Sequence, residues 1–284
     1  MNALEFEYQG NYYTKVNDIE VFIDYTNKRL KILDYQSISE SIISNIVNIA
    51  IGERLGKVIT NCRIRLLKPF RNCGFEVEGI INGFFNGEDA YCVSYFIDKR
   101  REVSVHREEE DAILYQSVIG NKKSAAANIN YVIRNAAMSD IPQMIQLFSN
   151  VFETYPSPVF SSDYLKKVMN DHILFKVAIE DGKIISIASA DMDIFNLNAE
   201  ITDCATYPEH RGRGMLSSLI QLLEQDLRDK GFHTLYSLSR AINPGINRSL
   251  SKLGYRFCGR LVNNCHICGG FEDMNIWVKK LKRG

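Results

Sequence analysis

The stretch Ala205-Thr206-Tyr207-Pro208-Glu209-His210-Arg211-Gly212-Arg213-Gly214-Met215-Leu216 decides the fold. A strand-like run, Ala199 to Thr206, leads into it. An amphipathic helix leads out, with Leu216, Leu219, Ile220, Leu223 and Leu227 at helical spacing. Pro208 punctuates the exit from the strand, and two glycines let the backbone bend before the helix starts. A strand, a tight Gly/Arg turn and a helix N-terminus together form an anion cradle, because unpaired N–H groups and the helix dipole favour negative charge there. Arg211 and Arg213 add charge. The ligand this geometry suits is a pyrophosphate, although a Gly-containing strand-to-helix turn also occurs as plain connection chemistry.

Outward from that stretch, Tyr131 to Arg134 reads as a strand. Ser139 is placed to cap a helix with Pro142 in its first turn and Ile141, Met144, Ile145, Leu147 and Phe148 inward. A stiff loop, Phe152 to Pro158, precedes a second helix at Asp163 to Asn170. Strands at Ile173–Glu180 and Lys183–Asp191 flank Asp181-Gly182, a hairpin signal. After the phosphate-type turn and its helix come a strand at His233–Leu238, a helix at Pro244–Leu253 and a hairpin over Tyr255–Val278.

Arg211-Gly212-Arg213-Gly214-Met215-Leu216 resembles the Arg/Gln-x-x-Gly-x-Gly/Ala phosphate motif of the GNAT acetyltransferase superfamily, with Leu216 where a small residue is usual. The order β-α-α-β-β-β-α-β-α-β-β matches the whole GNAT fold across 131–284, and Asn247, seven residues before Gly254-Tyr255, is a second landmark. The expected fold class is therefore mixed α/β (α+β), a GNAT domain with a mixed central sheet. The resemblance implies acetyl-coenzyme A as co-substrate, held by Ala205, Thr206, Arg211, Gly212, Arg213, Gly214, Met215, Leu216 and Asn247.

Residues 1–120 read as a smaller α+β domain, with short strands on either side of the turn Asp24–Lys28. A helix capped by Ser39 runs to Gly56, a strand follows at Lys57–Cys62, and a hairpin turns at Asn86-Gly87. Gly74-Phe75-Glu76-Val77-Glu78-Gly79 parallels Gly254-Tyr255-Arg256-Phe257-Cys258-Gly259. The order resembles the second half of the GNAT fold, but Asp34-Tyr35-Gln36-Ser37-Ile38 has no Arg-x-x-Gly. This domain is thus either a degenerate GNAT-like half without a coenzyme site or a coincidence of common Gly-aromatic hairpins. A helix at Glu108–Ser117 closes it, and 121–130 loses apolar periodicity and reads as the linker.

Lys+Arg and Asp+Glu are equal at 34 each, so bulk charge suggests neither nucleic acid nor an anionic membrane as partner. Glu5 and Glu7 interrupt any signal-peptide pattern, and no apolar run approaches the ~20 residues of a membrane span. Seven cysteines without a disulfide framework point to reduced thiols and the cytoplasm. Of Cys258, Cys265, His266 and Cys268 only one pair has zinc spacing, so no metal is expected. The protein is expected to be a monomer or homodimer.

Three further stretches narrow the resemblance: Thr202-Asp203-Cys204-Ala205-Thr206, Asn263-Asn264-Cys265, and Glu272-Asp273-Met274-Asn275-Ile276-Trp277. Together with the Thr154-Tyr155-Pro156 loop, they resemble bacterial and archaeal β-lysine N-acetyltransferases. Those enzymes acetylate the terminal amine of β-lysine to give a zwitterionic compatible solute used in osmoadaptation. The acceptor must lose a proton, since an aliphatic ammonium has a pKa near ~10.4. Glu200 has the position of the family's general base. Asp203, Tyr155, Asn263 and Asn264 are expected to hold the substrate, with Asp203 as anchor. Residues alternate along a strand, so Glu200 and Asp203 face opposite sides unless a bulge intervenes. The family's usual acid, a tyrosine, is replaced by Leu250; Ser249, Ser251 or water remain. Cys204 reads as a core strand residue. Another small amine, such as lysine or a polyamine, and non-catalytic acyl-coenzyme A binding are the competing readings.

Overall fold

The computed structural model describes residues 10–120 and 131–281. The linker at 121–130 lies outside the described residues. The first half contains β1 (Tyr12–Val16), β2 (Ile19–Asp24), β3 (Arg29–Ile32), α1 (Glu40–Gly52), β4 (Lys57–Cys62), α2 (Leu67–Asn72), β5 (Glu76–Phe85), β6 (Glu88–Phe96) and α3 (Arg107–Ile119). The second contains β7 (Val132–Asn135), α4 (Ile141–Val151), α5 (Ser162–Asp171), β8 (Ile173–Glu180), β9 (Lys183–Asp193) and β10 (Asn198–Thr206). It is completed by α6 (Met215–Asp229), β11 (Thr234–Arg240), α7 (Pro244–Lys252), β12 (Arg256–Ile267) and β13 (Gly270–Lys280).

Local chemistry accounts for most boundaries. Asn86-Gly87 and Asp181-Gly182 both take positive φ at two successive residues, the backbone that tight hairpins require. Ser39 Oγ accepts from Ile42 N and Ser161 Oγ from Tyr164 N, capping α1 and α5. Two expectations are corrected. Helix α1 ends at Gly52 rather than Gly56, because Arg54 turns left-handed at φ 56°. Ser139 does not cap α4: it lies inside a short 3-10 turn, Met138–Asp140, where the Asp140 carboxylate accepts from Ala137 N at 2.7 Å and pairs with Arg134.

All strands join one 13-stranded sheet in the order β1-β2-β3-β4-β6-β5-β12-β13-β11-β10-β9-β8-β7. Read outward from the centre, the two halves repeat one topology, with β7 added at the far edge. Each contains one parallel pair, β3–β4 or β10–β11, amid antiparallel neighbours. The registers agree in detail. Gly79 opposes Cys92 just after a bulge in β5, and Gly259 opposes Ile276 just after a bulge in β12. Carrying that match through the ladders equates Phe96 with Lys280, Lys57 with Thr234, and Lys31 with Glu200.

The halves meet where β5 pairs with β12 through Gly79 and Gly259. A Cβ on Gly259 would lie 2.4 Å from the Glu78 carbonyl oxygen and the Gly79 Cα, so only glycine permits this approach. Beside that contact, side chains of the first half take up the backbone of a bulged run in β12. Lys57 Nζ donates to the Val262 carbonyl at 2.8 Å and Arg29 to the Asn264 carbonyl at 2.7 Å. Val262 N and His266 N donate to Glu78 and Asn27 at 2.6 and 2.8 Å.

In the second half, α6 and α7 sit on crossovers running the same way across the sheet, which places both on one face. Helices α4 and α5 cover the other. Strand β9, enclosed by both layers, is buried without alternation from Ile184 to Ala190. Among the described residues no helix is long and apolar enough to cross a membrane.

Candidate active site

Strands β10 and β11 pair only through Asn198–Glu200 and Thr234–Tyr236, yet they run on to Thr206 and Arg240. Beyond Glu200 they diverge. The cause is a bulge in β10: Thr202 opposes Ser189, but Ala205 opposes Ile187, and the extra residue is taken up with Asp203 at φ 46°. A cleft of about 1380 Å³ occupies the divergence. Thr202, Asp203 and Cys204 line one wall, Ser237 to Arg240 the other, and the Arg211–Ser218 turn lies at its mouth.

That turn is built as an anion site. Gly212 and Gly214 both adopt φ 79°, where an added Cβ would meet nothing, so backbone conformation rather than crowding calls for glycine. Ser218 N bonds back to the Gly214 carbonyl at 3.1 Å, which leaves the N–H groups of Met215, Leu216 and Ser217 without helical acceptors. Arg211 is exposed, its Nε resting on the Thr206 carbonyl at 3.2 Å. Arg213 differs from expectation. Its guanidinium pairs with Glu180, with one contact at 3.0 Å, and meets His210 Nδ1 at 2.9 Å, so only its backbone faces the cradle. The same pair holds the Glu180 carboxyl below its ordinary range. Leu216 lines the cleft and packs partly on the core, so the missing small residue does not block the turn. Thr206 lines the cleft, whereas the Ala205 side chain points into the core. An acyl-coenzyme A pyrophosphate fits this arrangement of donors.

Asn247 is not on the cleft wall. It is fully buried, and its carbonyl oxygen accepts from Ser239, Asn275 and Trp277 at 3.1, 2.9 and 2.8 Å. Its amide donates to the Asn243 and Arg240 carbonyls at 2.7 and 2.9 Å. It ties α7 to the end of β11 and the middle of β13 and so supports the cleft from behind. Leu250 lies in the core.

At the inner end, the bulge returns Asp203 to the face that carries Glu200, so the two carboxylates share one side of the sheet. Ser189 Oγ donates to Asp203 Oδ2 at 2.7 Å, and the Tyr155 hydroxyl bonds the same carboxylate. Burial pushes Asp203 up to about 6. Glu200, the last paired residue before the divergence, is hydrogen-bonded by Tyr236 beside it in the parallel register. Burial, then the Asp191 charge, raises it to about 7. Asp203 and Tyr155 line the cleft, whereas Glu200, on the last paired rung of β10 and β11, does not. Tyr236, Ser189, Asp191 and Tyr164 belong to this cluster and escape a reading of the sequence alone. Only the parallel pairing that follows a GNAT-type turn would have pointed to Tyr236. Burial also raises the Cys204 thiol, which leaves it a poor nucleophile.

Asn263 and Asn264 lie elsewhere. Asn263 takes φ 45° in the β12 bulge, and its amide donates to the Val103 and Arg101 carbonyls at 2.9 and 3.2 Å. Asn264 is buried beside Cys265 under Arg29. Both belong to the seam between the halves and neither lines the cleft.

The Acetyltransferase (GNAT) domain family matches residues 132–257. The β-lysine N(6)-acetyltransferase of Methanosarcina mazei is 37% identical over 88% of this chain and 100% of its own length. The chain belongs to the GNAT acetyltransferases. A second β-lysine N(6)-acetyltransferase, from Methanococcus maripaludis, is 29% identical over 93% of this chain and 97% of its own. N-acetyltransferase YodP of Bacillus subtilis is 34% identical over 90% of this chain and 93% of its own. This chain is therefore an acetyl-coenzyme A-dependent N-acetyltransferase, and the likeness extends through both halves rather than the GNAT domain alone.

Proposed function

We propose that this acetyltransferase transfers the acetyl group of acetyl-coenzyme A to the terminal amine of β-lysine. The observation that carries the reading is a pair of carboxylates, Glu200 and Asp203, held near neutral pKa on one face where β10 and β11 part. Two relatives named for β-lysine support the substrate. When bound, acetyl-coenzyme A supplies a thioester whose carbonyl carbon is open to an amine. Asp203, fixed by Ser189 and Tyr155, is suited to gripping an ammonium. Glu200, half ionised near pH 7, takes the proton that the amine must lose, directly or through water. The new N–C bond replaces the C–S bond, and the second proton, shed by the acylated nitrogen, passes to the departing thiolate through water or Ser249 on the cleft wall. Positioning the two partners supplies much of the remaining acceleration.

The product would keep one ammonium and one carboxylate, a net-neutral zwitterion suited to a compatible solute in osmoadaptation. Seven free cysteines fit a cytoplasmic setting. The first half, taken as residues 1–120 against 131–284, serves without a coenzyme of its own. Its parallel pair β3–β4 stays joined as far as Ile32 and Thr60, past the point where β10 and β11 part. Initial rates with β-lysine, α-lysine and polyamines test the proposal. Preference for β-lysine in kcat/KM is expected, and equal rates for β-lysine and α-lysine would remove the substrate assignment.

A further inference from the structure

A β-amino acid with a distal amine carries one group that carboxylates cannot hold. Asp203, Glu200 and Asp191 supply negative charge on one face of β9 and β10, matched to ammonium groups. The substrate's own carboxylate needs a cation. On the cleft side, Arg213 is spent on Glu180, and Arg240 on Glu272 at 2.6 Å.

Arg211, Arg248 and Lys252 also line the cleft, the last two where α7 meets the end of α3; the cation within reach of the Glu200 and Asp191 charges comes from the first half. Lys31 lies mid-strand in β3, opposite Phe22, on the face that looks across to the second half. Its ammonium interacts with the charges of Glu200 and Asp191, and lies 5.9 Å from the Phe22 ring. Two residues earlier on the same face, Arg29 bonds Asp24 at 2.8 Å and the β12 bulge. Arg29's charge pushes Lys31 below its ordinary range, so a carboxylate arriving there would relieve a cation–cation repulsion. Among the described residues Lys31 closes no salt bridge. Tyr13, whose ring packs 4.6 Å from Phe22, reaches toward Asp191 and Tyr164 of the second half. Lys31 and Glu200 thus lie within electrostatic reach of each other between the halves, and both keep partial solvent exposure.

We infer that the acceptor pocket is shared between the halves, and that Lys31 of the first half binds the carboxylate of the amino-acid substrate while the second half performs the transfer. This rests on the amino-acid reading of the acceptor but not on β-lysine in particular. It gives the first half a role in specificity: it selects amines that bear a carboxylate.

The test compares each amino acid with its decarboxylated counterpart: β-lysine with 1,4-diaminopentane, and α-lysine with 1,5-diaminopentane. Wild type should favour the carboxylate-bearing member of the pair it uses best. Lys31→Met should raise its KM by about 10- to 100-fold, the usual range for losing a charge-assisted contact. The KM of the decarboxylated partner should move less than about 2-fold, and acetyl-coenzyme A affinity should hold. Lys31→Arg should restore most of the preference. Should Lys31→Met fail to fold, Lys31→Gln makes the same comparison. Equal loss on both members of a pair, or a wild type indifferent to the carboxylate, would overturn the inference. If α-lysine were the better substrate and Lys31→Met still abolished the carboxylate preference, the β-lysine assignment would fall and the role of Lys31 would stand.

Discussion

Burial raises Glu200 from its ordinary 4.5 to about 7, which bears on stability and on rate. Between those values the folded protein holds a proton that the unfolded chain has released, so stability falls as pH rises through the interval. At pH 8 the penalty is fully present, of order 1–3 kcal/mol given the neighbouring carboxylates. Glu200→Gln should therefore melt a few degrees above wild type at pH 8 and level with it at pH 4, measured by calorimetry. The same variant should lose about 10²–10³ in kcat at pH 7. It should recover toward pH 10, where the amine deprotonates unaided. A pH–rate profile superimposable on wild type would remove Glu200 as base. The sequence shows both carboxylates but not their common side, because the bulge at Asp203 depends on how β9 and β11 share the strand. Asn263 and Asn264 show a related effect: polar residues breaking an apolar strand mark a second bulge, packed against the other half.

At the scale of elements, the phosphate turn was legible because backbone chemistry there is local: proline, glycines and an apolar period sit in consecutive residues. The hairpins at Asn86-Gly87 and Asp181-Gly182 and the cap at Ser39 were legible for the same reason. Helix α2, six residues long, is too short to show a period. What a one-dimensional reading cannot assign is where a long side chain goes. Arg211 and Arg213 look alike in the motif, yet Glu180, the last residue of β8, neutralises only the second. Titration calorimetry should find acetyl-coenzyme A bound about 5- to 10-fold more weakly by Arg211→Ala. Arg213→Ala should stay within about 2-fold and leave the melting temperature nearly unchanged, since solvent screens its ion pair with Glu180. The opposite ranking would mean that Arg213 leaves Glu180 when coenzyme binds.

On the scale of the molecule, the echo between Gly74–Gly79 and Gly254–Gly259 proves to be a repeated topology whose two members cross at their own glycines. Gly259→Ala should cost about 1–3 kcal/mol or more, since its Cβ would meet the β5 backbone at Glu78 and Gly79 and φ 143° disfavours a side chain. A thermal melt no lower than wild type would show that the seam can open to admit it. The seam has a consequence for what the groove can recognise. Two identical halves related by an exact two-fold axis would set the same residue on both banks, lysine against lysine or glutamate against glutamate, and the groove would carry a single sign. Joined in one polypeptide, the banks mutate separately. Lys31 and Glu200, the same position in two copies of one topology, bear opposite charges, and a polarity from one bank to the other is what a zwitterion needs in order to lie in one direction only.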